Sequence, residues 1–260
     1  MTVEHREVIQ RERAYPACPF PRLTGELALY GALAVLALGV RLAALGRFPL
    51  STSEANVALA AWRAAQGGAW RPEAYSPLLF GANLALFWLT RAGDGAARLL
   101  PALVGAALVA LPYAARHTVG RGAALVMAAL LAFTPSWVFF SRANDWPIVA
   151  AALSAALLVA IDRYRQSGLD ADARLTAAIV GLGLLSGPGF VTPLLALVGY
   201  ALLWARRHPV LGPVRLRGLA LGAATRGNLL LVAGIVVGVG SALWANPGGV
   251  GAAANLTWTW

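Results

Sequence analysis

Long apolar stretches alternate along this chain with short segments that carry arginine. The clearest apolar runs cover residues 27–46, 99–115, 122–140, 146–161, 175–186, 191–205 and 228–244. A helix crossing the hydrocarbon layer needs about 20 mostly apolar residues. Several runs fall short of that, so their ends must draw on loop residues or sit where the layer is thin. The two-residue alternation of a membrane barrel is missing, and helices are the other way to satisfy a backbone inside lipid. Ser186-Gly187-Pro188-Gly189 breaks the fifth run from the sixth and predicts a tight hairpin.

Residues 76–90 are apolar but only as long as an interfacial helix, a length at which segments lie on the membrane or re-enter it. Loop charge decides their reading. If 76–90 do not span and the N-terminus is inside, Arg116, Arg121, Arg163, Arg165, Arg174, Arg206, Arg207, Arg215, Arg217 and Arg226 all fall on the cytoplasmic side. Only the long stretch 47–98 departs from the arginine bias. Aromatics agree: Trp137, Phe139, Phe140 and Trp146 form an outer belt, and Tyr113, Tyr164, Tyr200 and Trp204 an inner one. The predicted fold is an all-α, polytopic transmembrane bundle of about seven spans, N-terminus cytoplasmic, in the cell membrane. Residues 1–25 form a polar cytoplasmic tail, and 26–260 form the transmembrane domain. Within it, 47–98 make an extracytoplasmic loop with interfacial helices, one of them over 55–66 and stopped by Gly67-Gly68. A loop of that length between spans is typically a lid or a binding element.

Composition supports this class. The 260 residues are 59% hydrophobic and 12% charged, too apolar for an ordinary soluble domain. The net charge of +10 comes from arginine without lysine, clustered in loops between spans. That placement fits membrane topology and argues against a nucleic-acid partner. Cys18 has no second cysteine for a disulfide, and His5, His117 and His208 are too scattered to suggest a metal site. The tail mixes Glu4, Glu7 and Glu12 with arginines, unlike a signal peptide.

The candidate chemistry gathers at the outer face. Glu54 stands alone in Pro49-Leu50-Ser51-Thr52-Ser53-Glu54-Ala55-Asn56, just past the first span. A charged group at a membrane face needs a partner or a task. Further landmarks are Val40-Arg41-Leu42, Tyr75-Ser76-Pro77-Leu78-Leu79, and the run from Ala97-Arg98-Leu99 to Gly105. They continue with Thr134-Pro135, Phe139-Phe140-Ser141-Arg142, Asp162-Arg163-Tyr164 and Ala245-Asn246-Pro247-Gly248-Gly249. In order and spacing these resemble the N-terminal part of the GT-C superfamily of membrane glycosyltransferases, which includes the protein mannosyltransferases and aminoarabinose transferases.

The resemblance implies sugar transfer from a polyprenyl-phosphate donor at the extracytoplasmic face of a bacterial membrane. Such transfer needs a base for the acceptor hydroxyl and positive charge, or a metal, for the departing phosphate. In the family the first-loop Asp is the natural base, and Ser53 occupies its place here. Glu54 matches the second member of the pair. Another acid is expected after Ser-Arg, where Pro147 aligns and Asp145 lies two residues early. The resemblance thus names Glu54 and Asp145 as catalytic candidates and Arg41, Arg98 and Arg142 as phosphate ligands. It leaves room for a divalent metal, although no ligand cluster indicates one.

Structural readings stand beside each of these. Ser51 and Glu54 suit a helix N-terminus, and Asp145 suits the start of a span at Trp146-Pro147. Arg41 suits snorkelling, and Arg98 and Arg142 suit interface anchoring. Two functions follow: a lipid-linked-sugar glycosyltransferase, or a catalytically silent relative packed as an accessory subunit in a larger membrane complex. A transporter fits less well, because no repeated halves are visible. Gly234-Ile235-Val236-Val237-Gly238 spells a helix-contact motif, and Asn255-Leu256-Thr257 is a sequon by spelling alone.

Overall fold

The computed structural model describes residues 25–68, 76–90, 92–207 and 223–242. The polar tail up to residue 24, Tyr75, Arg215, Arg217, the 245–249 motif and the sequon lie outside the described residues.

Every regular element among the described residues is helical. Three helices, α1 to α3, cover Gly25–Leu42, Thr52–Ala65 and Pro77–Leu89. The next three, α4 to α6, follow closely as Asp94–Ala97, Leu99–Leu108 and Leu111–Val119. Then come α7 (Arg121–Phe133), α8 (Pro135–Ser141) and α9 (Pro147–Ser167). The last are α10 (Asp170–Ser186), α11 (Val191–Arg207) and α12 (Ala223–Gly240), with a short 3-10 turn at Pro188–Phe190 ahead of α11. Gly25–Leu42, Asp94–Val119 and Pro147–Ser167 are long and apolar enough to cross a membrane. A fourth candidate is the pair α7–α8, bent by 58°.

Local chemistry sets these boundaries. Helix α1 carries Glu26 in its first turn and Arg41 in its last, matching the helix dipole. Its run ends at Ala44, a non-glycine residue with φ of 51°. Helix α9 opens with Pro147 in its first turn and stops at Gly168, whose φ of 64° is left-handed. The α7–α8 bend follows from Pro135, which has no N–H for the preceding turn.

Packing is close where side chains are small. Ala124, Ala128 and Ala132 repeat every four residues on α7 and meet Tyr30 and Ala37 of α1. On α10, Gly181 lies against Ile235 of α12, and Gly183 receives the Phe190 ring. Helix α11 is attached near its start, where Leu194 and Leu197 pack beside Phe190. At one end of the bundle, Glu26 faces Arg116 and Arg121, and Arg163 faces Asp172. Thr118, Asp162 and Gln166 are hydrogen-bonded at that same end.

The other end is covered by α2 and α3, which pack on each other through Ala58, Ala61, Phe80 and Phe87. Helix α3 meets successive helix ends. Ser76 Oγ donates to the Leu185 carbonyl near the end of α10. Gly81 lies by the Val239 carbonyl near the end of α12. Asn83 bonds Asn144 between α8 and α9.

Candidate functional site

The site begins with a local motif. Ser51 caps α2, its Oγ accepting from the Glu54 amide, while the Glu54 carboxylate accepts from the Ser51 amide at 2.9 Å. This reciprocal capping box fixes the carboxylate at the helix start. Glu54 also shares the buried stripe of α2 with Ala58 and Ala61, so the fold draws it inward. It is 6% exposed.

Tertiary structure then closes around it. Arg98, at the α4–α5 junction, grips the carboxylate with Nε and Nη2, each at 2.8 Å. The Asn144 backbone N–H donates to Oε1 at 2.7 Å, and Asn144 Nδ2 reaches the Glu54 carbonyl at 3.3 Å. Glu54 thus accepts four hydrogen bonds at its two oxygens, about the full capacity of a carboxylate. Burial pushes its carboxyl up, but the Arg98 guanidinium and the Asn144 and Ser51 groups outweigh that. They hold it at about 2. A carboxylate so stabilised is a weak base.

Arg98 is equally committed. Its Nη1 donates to the Leu45 and Phe48 carbonyls at 3.3 and 2.8 Å, and Nη2 also reaches Pro49 at 3.1 Å. Together with the two bonds to Glu54, these engage all five N–H groups of the guanidinium. In this arrangement Arg98 has no donor left for a phosphate. The pair works as a clamp that folds the 45–49 turn onto the start of α2.

Arg41 does not snorkel. Its side chain is fully buried, with Nη1 donating to Ala37 and Ala132 carbonyls and Nη2 to Leu131 at 2.8 Å. Leu131 is the residue four before Pro135, so its carbonyl lacks the usual helical partner. Arg41 supplies that partner at the α7–α8 bend. Among the described residues its Nε has no hydrogen-bond partner, and it faces Gly105, where an added Cβ would come within 3.1 Å of it and overlap Ser141. Three segments therefore cross closely at Gly105.

Arg142 and Asp145 are half-buried. Arg142 Nη1 donates to the Val40 carbonyl at 2.6 Å, tying the end of α8 to the end of α1. Asp145 Oδ1 accepts from the Trp146 amide at 2.8 Å, just ahead of α9. The fold brings the neighbour of Asp145, rather than Asp145 itself, into contact with Glu54. Ser53, in the position of the expected acid, is exposed, and its hydroxyl is 3.2 Å from that of Ser51.

The five candidates do gather at one end of the bundle, linked through Val40, Asn144 and the 45–49 turn. Sequence reasoning overlooked Asn83 and Asn144, both buried, with Asn83 Nδ2 donating to Asn144 Oδ1 at 2.9 Å. A lone Asn inside the apolar run of α3 was the available signal. Among the described residues, no group of three or more His, Cys, Asp or Glu side chains is placed to hold a metal ion. No family model, curated protein or solved structure matches this chain.

Proposed function

We propose that this chain is a catalytically silent, GT-C-like membrane module that serves as a structural or accessory subunit of a larger membrane assembly. In this reading seven helical segments span the cell membrane, the N-terminus is cytoplasmic, and α2–α3 lie at the extracytoplasmic face. The observation that carries the silent reading is the saturation of Glu54 and Arg98 by each other, by backbone groups and by Ser51. An acid with no free lone pair and a cation with no free N–H stabilise a fold; they do not exchange protons or hold a leaving phosphate.

Sugar transfer from a polyprenyl-phosphate donor is the second reading. Its support is that Asp145 and Arg142 are both partly exposed, and among the described residues each makes one side-chain hydrogen bond beside the buried pair. The test is purification from membranes followed by two measurements: turnover of polyprenyl-phosphate sugars, and the subunits that co-purify. A stoichiometric membrane partner and no turnover are expected. Turnover abolished by Asp145→Asn or by Glu54→Gln, with folding intact, overturns the silent reading in favour of a glycosyltransferase.

A further inference from the structure

The end of the bundle closed by α2 and α3 is polar inside and apolar outside. Trp88 and Leu89 are 78% and 71% exposed, Phe139 is 68%, Phe48 is 66%, and Phe140 is 43%. They come from three separate segments, each beside a helix end. Phe48 lies in the turn held by Arg98, through its own carbonyl. Trp88 and Leu89 end α3, shortly before Gly95, which touches Gly46 in the turn after α1. Phe139 and Phe140 close α8, where the Arg142 amide bonds the Phe139 carbonyl and the Arg142 side chain reaches α1.

Several stretches of backbone leave the helix at this end. Residues 43–51 turn through Ala44, 142–146 bend between α8 and α9, and Gly187 breaks α10 from the following turn. Irregular backbone is not tolerated against hydrocarbon. Large apolar side chains in a group are equally out of place in bulk water. The headgroup layer of a bilayer accepts both, and tryptophan favours it through an apolar ring with a polar edge. Below this level the outer surface of α1 continues apolar, through exposed Leu29, Val35 and Leu36.

We infer that Phe48, Trp88, Leu89, Phe139 and Phe140 form a collar that seats this end of the protein in the lipid headgroup layer. The inference rests on the membrane reading above and adds the depth at which the bundle sits. It gives the polar cluster of Glu54, Arg98, Asn83 and Asn144 a location, inside the protein at the height of the collar.

The single cysteine makes the test direct. In a Cys18→Ser background, nitroxide labels are placed by Leu36→Cys, Phe48→Cys, Leu89→Cys and Asn56→Cys. The protein is reconstituted in phosphatidylcholine–phosphatidylglycerol vesicles, and collisions with oxygen and with a water-soluble nickel chelate are compared. The expected order is a deep label at 36, headgroup depth at 48 and 89, and an aqueous label at 56. Labels at 48 and 89 as aqueous as that at 56 overturn the collar. So do labels shielded from both relaxers, which would show a second copy or another protein covering these residues. An aqueous label at 36 overturns the membrane reading itself, so the two failures are distinct.

Discussion

At the scale of single residues, Glu54 shows how one side chain can carry opposite readings. Its neighbours mark it as a helix cap, and its setting near a membrane face marks it as a candidate acid. The saturated geometry supports the structural reading, because a carboxylate whose oxygens are already engaged and whose pKa is held at about 2 is a weak base. Glu54→Gln leaves the Arg98 guanidinium buried without its charge partner, and we expect a loss of about 3 kcal/mol, measured by denaturant unfolding in detergent. The pH dependence has a fixed sign. The folded-state value lies below the ordinary 4.5, so the stabilisation is full above that value and declines as pH falls towards about 2. A wild-type protein equally stable at pH 5 and pH 2.5, relative to Glu54→Gln, would contradict it. Gly105→Ala should cost about 1–3 kcal/mol by overpacking against Ser141 and Arg41. Gly39→Ala, in open space on α1, should be neutral or stabilising by about 0.5–1 kcal/mol.

At the scale of elements, the break between α7 and α8 is the instructive case. Pro135 removes a donor and leaves the Leu131 carbonyl unpaired, and Arg41 from another helix satisfies it. Pro135→Ala returns an N–H that competes for that carbonyl. The expected result is a straighter α7–α8, read as a longer distance between spin labels at positions 126 and 140. An unchanged distance would show that the bend is imposed by packing instead. The α1 terminus offers a gentler test. Ala44 holds a left-handed backbone, so Ala44→Gly should raise stability by about 1 kcal/mol, seen as a higher unfolding midpoint. Trp146, expected in an outer belt, packs its ring against Gly187 and Gly189. Those glycines leave room that any side chain would fill.

At the scale of the whole molecule, three helices among the described residues meet the length and apolarity needed to span, or four with the bent pair. The shorter apolar helices Pro77–Leu89, Pro188–Trp204 and Arg226–Gly240 fall below that length. The proposed topology makes a further testable statement. Cysteines introduced at Phe48 and at Leu169, in the Cys18→Ser background, should react with an impermeant thiol reagent from opposite sides of the membrane. Labelling of both from one side would refute seven spans with the N-terminus inside.

The helical class, the apolar runs, the helix stop at Gly67 and the helix start near Ser51 and Glu54 were legible in the sequence alone, whereas the stop at Gly168 and the reciprocal capping box came from the structure. The legible features depend on residues within a few positions of each other, where propensity, proline, glycine and short hydrogen bonds act. The sequence also named the five charged residues that the fold gathers at one end. It did not show what each one touches. Arg98 lies 44 residues from Glu54, Asn144 lies 90 away, and Leu131 lies 90 from Arg41. Only tertiary structure brings such groups within 3 Å, and only there is it decided which donors and acceptors remain open. A buried ion pair and a catalytic pair use the same residue types; they differ in which hydrogen-bonding positions are already filled.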